Sequence, residues 1–107
     1  EINSSLEEQK SGVYPDKFEQ FVDLVLNANF SYCKLRGVMT VGPLTEDTGK
    51  IQNAFAGVRR QFELLQKKAA DIDILSMGMS SDYRIAIDEG STQVRVGSAI
   101  FGRRNYN

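Results

Sequence analysis

The sequence predicts an α/β fold whose strands run parallel in one sheet. Strand-like and helix-like segments alternate along the chain, and the strand-like segments are mainly apolar, without a strict alternation of apolar and polar residues. Continuous apolar runs are typical of strands buried on both faces. Alternation of such strands with helices is typical of right-handed βαβ units, which place their strands parallel.

The first half of the chain contains a strand end, a helix and a complete strand. Residues 1–5 are typical of the tail of a strand whose beginning lies outside this sequence. Residues 15–28 carry apolar side chains at i, i+3, i+4 and i+7, with a proline near the first helical position, which predicts an amphipathic helix. Residues 35–41 form a short apolar run closed by Gly42-Pro43, which predicts a buried strand and a loop.

The second half continues the same alternation. Four further elements are predicted, in chain order: a long amphipathic helix over 50–69, a strand over 72–79, a short helix over 81–89 and a fourth strand over 94–100. The short helix is expected to have Ser80 or Ser81 as its N-cap and Gly90 in the C-terminal capping position. No internal repeat or low-complexity segment interrupts the pattern.

The carboxyl ends of the last two predicted strands are suited to an anion. Small residues follow both strands, in the segments 76–82 and 94–102. Backbone N–H groups at a helix start and in a glycine-containing turn carry partial positive charge, and they converge when the two strands are neighbours. The sequence therefore predicts a phosphate site where these two strands end.

Two architectures share this alternation, an open doubly wound sheet and the eight-stranded TIM-type (β/α)8 barrel. Barrels recurrently bind phosphate between the loops after strands seven and eight, beside a short helix, and the last two strands fit that description. About three and a half parallel strands cannot close a barrel. We therefore expect residues 1–107, as a single segment, to be the C-terminal half of a barrel of about 230 residues.

An open half-barrel needs a partner, because it exposes an apolar face and two strand edges. The expected partner is the N-terminal half of the barrel, lying outside this sequence or supplied by a second chain. An intact 12 kDa monomer would contradict this expectation.

Composition excludes several classes of function. The net charge is −1 and basic residues occur only as dispersed pairs, so nucleic acid is not an expected partner. No apolar run approaches the roughly 20 residues that cross a bilayer, so no membrane partner is expected. With no histidine, zinc sites and serine–histidine catalysis lose their commonest ligand and base, and we predict neither metal ligands nor catalytic residues. Cys33 has no partner for an internal disulfide, which favours the reducing cytoplasm.

Four motifs occur in a fixed order along the whole chain. They are, in order, Asn3-Ser4-Ser5 with Glu8 to Gly12, Leu35 to Thr40, Leu75 to Asp82, and Gly90-Ser91-Thr92 with Val94 to Gly102. Together they resemble the pyridoxal-phosphate homeostasis proteins of the YggS/PROSC type. The resemblance implies the fold of the alanine racemase N-terminal barrel, a cytoplasmic location and bound pyridoxal 5′-phosphate.

The resemblance also assigns candidate site residues. The family's phosphate contacts fall on Ser80 and on the Gly97-Ser98 turn, where the family more often has threonine. Arg95 matches the arginine that lies against the pyridine nitrogen; by itself, a strand arginine is more often part of a salt bridge. An always-charged arginine discourages protonation of that nitrogen, which implies weak or absent catalysis. The family's covalently attached lysine has no match here, and Lys10, on the same rim, is expected to be a solvated loop residue.

Other residues in these motifs have ordinary structural interpretations. Met77 and Met79 are expected to pack in the core, although either could contact a ring. Asp82 is expected to complement the dipole of the short helix. Lys34 precedes its strand and is expected on the rim opposite the anion site.

Three hypotheses of different classes follow. The first is a non-catalytic pyridoxal 5′-phosphate binding protein that takes part in intracellular homeostasis of this cofactor. The alternative is a racemase-like or other phosphate-binding barrel enzyme, which requires a base over the substrate carbon. The third is a protein-interaction module without a ligand.

Overall fold

Three parallel strands form one sheet, with helices packed against it. The computed structural model describes residues 1–103 of the 107-residue chain. The strands are β1 (Gly37–Met39), β2 (Ile74–Met79) and β3 (Gln93–Arg95), in the order β1-β2-β3. The helices are α1 (Phe18–Ala28), α2 (Thr48–Lys68), α3 (Tyr83–Asp88) and α4 (Ser98–Phe101), with a 3-10 turn over Pro15–Lys17. The α/β class and the parallel sheet are confirmed.

The strands lie side by side in the order in which they occur along the chain, and Ile2 pairs at the edge formed by β1. Ile2 forms isolated parallel bridges with Thr40, directly after β1, and with Val13. Its N–H donates to the Met39 carbonyl at 2.8 Å. The predicted strand tail at residues 1–5 is therefore a point of parallel pairing next to β1, not a continuous strand.

Helix α2 supplies more of the buried core residues than any other element. Its apolar residues recur at spacings of four and three, and all of those facing the sheet are buried: Ile51, Phe55, Val58, Phe62 and Leu65. They form one cluster with Val38, Leu75 and Met77 of the sheet. The helix begins two residues earlier than predicted, because the Asp47 side chain caps it by accepting the N–H groups of Gly49 and Lys50.

The prediction of a fourth strand over 94–100 is wrong beyond Arg95. Met79 is the last residue of β2 and pairs with Arg95, so the following residues have no neighbouring strand on that side. They turn instead into α4, in which the N–H of Phe101 donates to the Gly97 carbonyl at 2.8 Å. An apolar run therefore forms a short helix at the site where strand pairing ends.

The predicted N-cap of the short helix is also wrong. Asp82 occupies the N-cap position of α3, and no side chain caps the helix. The Asp82 carboxylate instead accepts the N–H of Met79 at 2.7 Å. The C-terminal prediction is confirmed, since Gly90 has φ +99° and its N–H donates to the Ile87 carbonyl. The Arg59 guanidinium fills the space that a Cβ at Gly90 would need.

No helix within residues 1–103 is both long enough and apolar enough to cross a membrane.

Candidate functional site

A cavity of about 750 Å³ opens at the carboxyl ends of the three strands. The loops that follow β1, β2 and β3 line it, together with Lys10 from the loop after Ile2. Parallel strands bring their carboxyl ends to one edge of a sheet, so residues far apart in sequence meet there. All four candidate site residues, Ser80, Arg95, Gly97 and Ser98, lie in its wall.

The backbone N–H groups of Gly97 and Ala99, at the start of α4, form a cradle around the hydroxyl oxygen of Ser80. The Ser80 Oγ accepts the N–H of Gly97 at 3.1 Å and the N–H of Ala99 at 3.0 Å. One backbone donor from the loop after β3 and one from the first turn of α4 thus converge on one point beside the loop after β2. A hydroxyl oxygen occupies that point here, and an anionic oxygen would gain more from the same donors because charge-assisted hydrogen bonds are stronger.

Arg95 ends β3 and reaches across the sheet to the end of β1. Its Nη2 donates to the Thr40 carbonyl at 2.8 Å, and the buried Thr40 hydroxyl donates in turn to the Ile2 carbonyl. The Nε of Arg95 is buried and has no hydrogen-bond partner among the described residues. No described carboxylate lies within salt-bridge distance of this guanidinium, so the salt-bridge interpretation has no support in residues 1–103.

Lys10 is not the solvated residue that the sequence predicts. Its Nζ donates to the Gly42 carbonyl at 2.9 Å and lies 3.4 Å from a Glu7 carboxylate oxygen, with the side chain 23% exposed. Lys34 is at the opposite rim, as predicted, where it pairs with Asp71 at 2.7 Å. This hydrogen bond and the lysine charge lower the pKa of the exposed Asp71 carboxyl below its ordinary value.

The two methionines differ in position. Met77 is fully buried in the core, as expected, whereas Met79 is 42% exposed and lines the cavity. Asp82 stands at the helix start but is buried, and its hydrogen bond to Met79 fixes the turn that carries Ser80.

Sequence reasoning missed two contributions to the site. One is the N–H of Ala99, hidden by the false strand prediction. The other is the Thr40 carbonyl that anchors Arg95, for which the apolar run before Gly42-Pro43 gives no signal beyond marking a strand end. Within residues 1–103 no cluster of three or more histidine, cysteine, aspartate or glutamate side chains could hold a metal ion.

The residues present fit a phosphate-bearing aromatic cofactor. The cradle offers two converging N–H donors, and Arg95, which lines the same cavity, carries a buried Nε that has no hydrogen-bond partner among the described residues. Met79 adds a polarizable thioether of the kind that contacts aromatic rings. The fit therefore rests on where these donors lie in the structure, not on the residue types alone.

Comparison with known proteins gives consistent matches over nearly the whole chain. The alanine racemase N-terminal domain family matches residues 1–105. A pyridoxal phosphate homeostasis protein of Pasteurella multocida is 41% identical over 110 residues, which cover 100% of this chain and 46% of that protein. The protein of the same description from Schizosaccharomyces pombe is 41% identical over 105 residues, which cover 97% and 44%.

Solved structures are similar as well. A structure described as an unknown protein from Bifidobacterium adolescentis superposes with a TM-score of 0.85 at 36% identity, covering 94% of this chain and 40% of that one. The structure of PipY from Synechococcus elongatus with pyridoxal phosphate bound gives a TM-score of 0.75 at 32% identity, covering 91% and 46%. The chain thus spans somewhat less than half the length of the curated relatives it matches.

Proposed function

We propose that this protein binds pyridoxal 5′-phosphate without catalysing a reaction. The premise is its family: the chain belongs to the alanine racemase N-terminal domain family and, within it, to the pyridoxal phosphate homeostasis proteins. Its role in this proposal is to hold the cofactor in reserve and so to stabilise the intracellular supply. The cytoplasm, implied by the resemblance, is the proposed location.

The cradle around the Ser80 oxygen carries the proposal. That oxygen accepts the backbone N–H of Gly97, in the loop after β3, and that of Ala99, in the first turn of α4, and a phosphate oxygen can accept the same two donors. In the proposed complex a phosphate oxygen accepts the N–H groups of Gly97 and Ala99, and the Ser80 hydroxyl turns to donate to the same phosphate. Ser98 lines the same wall and offers a further hydroxyl.

Arg95 supports a binding role over a catalytic one. The cofactor, when bound, supplies a pyridine ring that withdraws electrons from a substrate, and it withdraws them most strongly when its ring nitrogen is protonated. An arginine stays protonated at all physiological pH values, so the Arg95 guanidinium, if it lies against that nitrogen, would donate a hydrogen bond to it and keep it unprotonated. Its anchor on the Thr40 carbonyl at 2.8 Å holds the guanidinium in place for this contact.

The proposed domain arrangement is the C-terminal half of a (β/α)8 barrel. The strands run parallel in chain order from Ile2 through β1 and β2 to β3, as consecutive barrel strands do. One flank of α1 contacts α2 through Asp23 and Lys68, and the opposite flank exposes Phe21 and Leu24. The other half of the barrel would cover this apolar flank and both sheet edges.

A racemase-like enzyme is the second candidate, and Lys10 is the observation that favours it. Its partly buried ammonium group lines the cavity and could approach a substrate there. In the structure it is held by the Gly42 carbonyl and Glu7. Exchange of the α-hydrogen of an added amino acid with solvent deuterium would support the enzyme, and its absence in the cofactor-loaded complete protein would support the carrier.

The proposed function is tested by binding. The complete protein is titrated with pyridoxal 5′-phosphate and, separately, with pyridoxal, which lacks the phosphate. We expect the phosphorylated form to bind at least about a hundredfold more tightly, since a phosphate held by two or more charge-assisted hydrogen bonds gains on the order of 3 kcal/mol. Equal affinity for the two compounds would overturn the proposal.

A further inference from the structure

Strand β2 contains one more residue than β3 between two paired positions. Ser76 pairs with Gln93 and Met79 pairs with Arg95, so two residues of β2 stand opposite one residue of β3. One of the two is Gly78, which has φ +105°. A Cβ there would lie 2.8 Å from the Cβ of Ala86 and 3.0 Å from the Cα of Tyr83 in α3. This is a β-bulge that only glycine fits.

The bulge sets which part of β2 meets the cofactor cavity. With regular pairing from Ser76 onward, Gly78 would stand opposite Arg95; the extra residue places Met79 there instead. Ser80 follows at once, with its Oγ 3.1 Å from the N of Gly97. Because a shift of one residue exchanges the faces of a strand, the bulge determines how the loop after β2 meets the loop after β3.

The Ser91 hydroxyl lies directly beside this bulge. Its Oγ is 2.7 Å from the Met77 carbonyl, 2.9 Å from that of Gln93 and 3.1 Å from that of Leu75. A hydroxyl has one proton, and the shortest distance is to Met77, the residue immediately before the bulge glycine. Ser91 thus connects the segment entering β3 to the backbone of β2 at the point where the register changes.

Ser91 itself lies outside the cavity wall. We propose that Ser91 is a positioning residue for the cofactor cavity, whose hydroxyl holds the Gly78 bulge and thereby the contact of Ser80 with the N–H groups of Gly97 and Ala99. The effect on ligand affinity rests on the proposed function, but the effect on these two N–H groups does not.

Thr92 provides a matched control. It is the next residue, its Oγ1 accepts the N–H of Leu75 at 2.8 Å, and it joins the same two chain segments. That bond lies at Leu75, before the register change, whereas the Ser91 bond lies at Met77. Ser91→Ala and Thr92→Val each remove one hydroxyl from the β2–β3 connection, so both are expected to lower the melting temperature.

The experiment compares these two variants in the complete protein. In the absence of ligand, amide hydrogen exchange at Gly97 and Ala99 is expected to quicken about tenfold in Ser91→Ala and to stay unchanged in Thr92→Val. The dissociation constant of pyridoxal 5′-phosphate is expected to rise roughly three- to tenfold in Ser91→Ala alone. If Ser91→Ala does not fold, Ser91→Cys, which keeps a weaker donor, takes its place.

The outcomes separate the two proposals. Unchanged exchange at Gly97 and Ala99 in the Ser91 variant, or equal effects of the Ser91 and Thr92 substitutions, overturns the positioning role. A wild-type protein that does not bind pyridoxal 5′-phosphate overturns the proposed function, and the exchange measurement still decides the role of Ser91.

Discussion

Ser80→Ala tests the phosphate cradle most directly. In the unliganded protein the Ser80 oxygen accepts the N–H groups of Gly97 and Ala99, at 3.1 and 3.0 Å. Removing it deletes one hydroxyl donor to the proposed phosphate, a hydrogen bond to a charged group that contributes about 1.5–3 kcal/mol. Part of this loss is offset, because the variant no longer has to release the two N–H groups before the ligand binds.

The expected result is therefore at the low end of that range. The dissociation constant of pyridoxal 5′-phosphate should rise about tenfold, equivalent to about 1.4 kcal/mol. Binding is measured by titration of the complete protein, with pyridoxal as a second ligand. Because pyridoxal has no phosphate to receive the hydroxyl proton, the substitution should leave its affinity unchanged.

Ser81→Ala is the matched control. Ser81 lines the same cavity, yet its hydroxyl makes no hydrogen bond to any described residue. Its affinity for both ligands should equal that of the wild type. An equal loss for pyridoxal and for the phosphorylated form in Ser80→Ala, or an equal loss in the two serine variants, would refute the cradle.

Three further predictions concern the ring contact, the core and the far rim. Arg95→Leu should weaken binding of both pyridoxal and its phosphate about ten- to a hundredfold in the same titration, because it removes a charged donor to the ring; unchanged affinity would contradict the assignment. Phe55→Ala should lower the free energy of unfolding by about 3–5 kcal/mol in denaturant titration, because Phe55 is fully buried. Lys34→Met should raise the pKa of Asp71 in an NMR titration, because the lysine's hydrogen bond and charge lower it. A carboxyl with a lowered folded-state pKa stabilises the protein above its unfolded pKa and loses that contribution as pH falls, so the variant should lose less stability on acidification.

Much of the site could be found before any coordinates. Small residues after apolar strands predicted an anion site in the segments 76–82 and 94–102, a pattern that is local to each segment, and the family resemblance then assigned Ser80, Gly97 and Ser98 within them. The Ala99 donor was not identifiable, because the run Ser98–Phe101 is as apolar as a strand and only the end of β2 at Met79 prevents it from pairing. The N-cap error has a similar cause, since the Ser80 hydroxyl is engaged by the loop after β3 and not by its own helix.

The local pattern of apolar and polar residues by itself determined the α/β class, the order of elements and the apolar face of α2. The reason is that the spacing of apolar residues along a segment fixes which face of the element is buried. Tertiary structure alone decided the strand register. The bulge at Gly78 depends on the close approach of α3, and the anchor of Arg95 on Thr40 joins residues 55 positions apart. Contacts of that kind arise from how neighbouring strands pair, and no single segment of the chain specifies its partner's register.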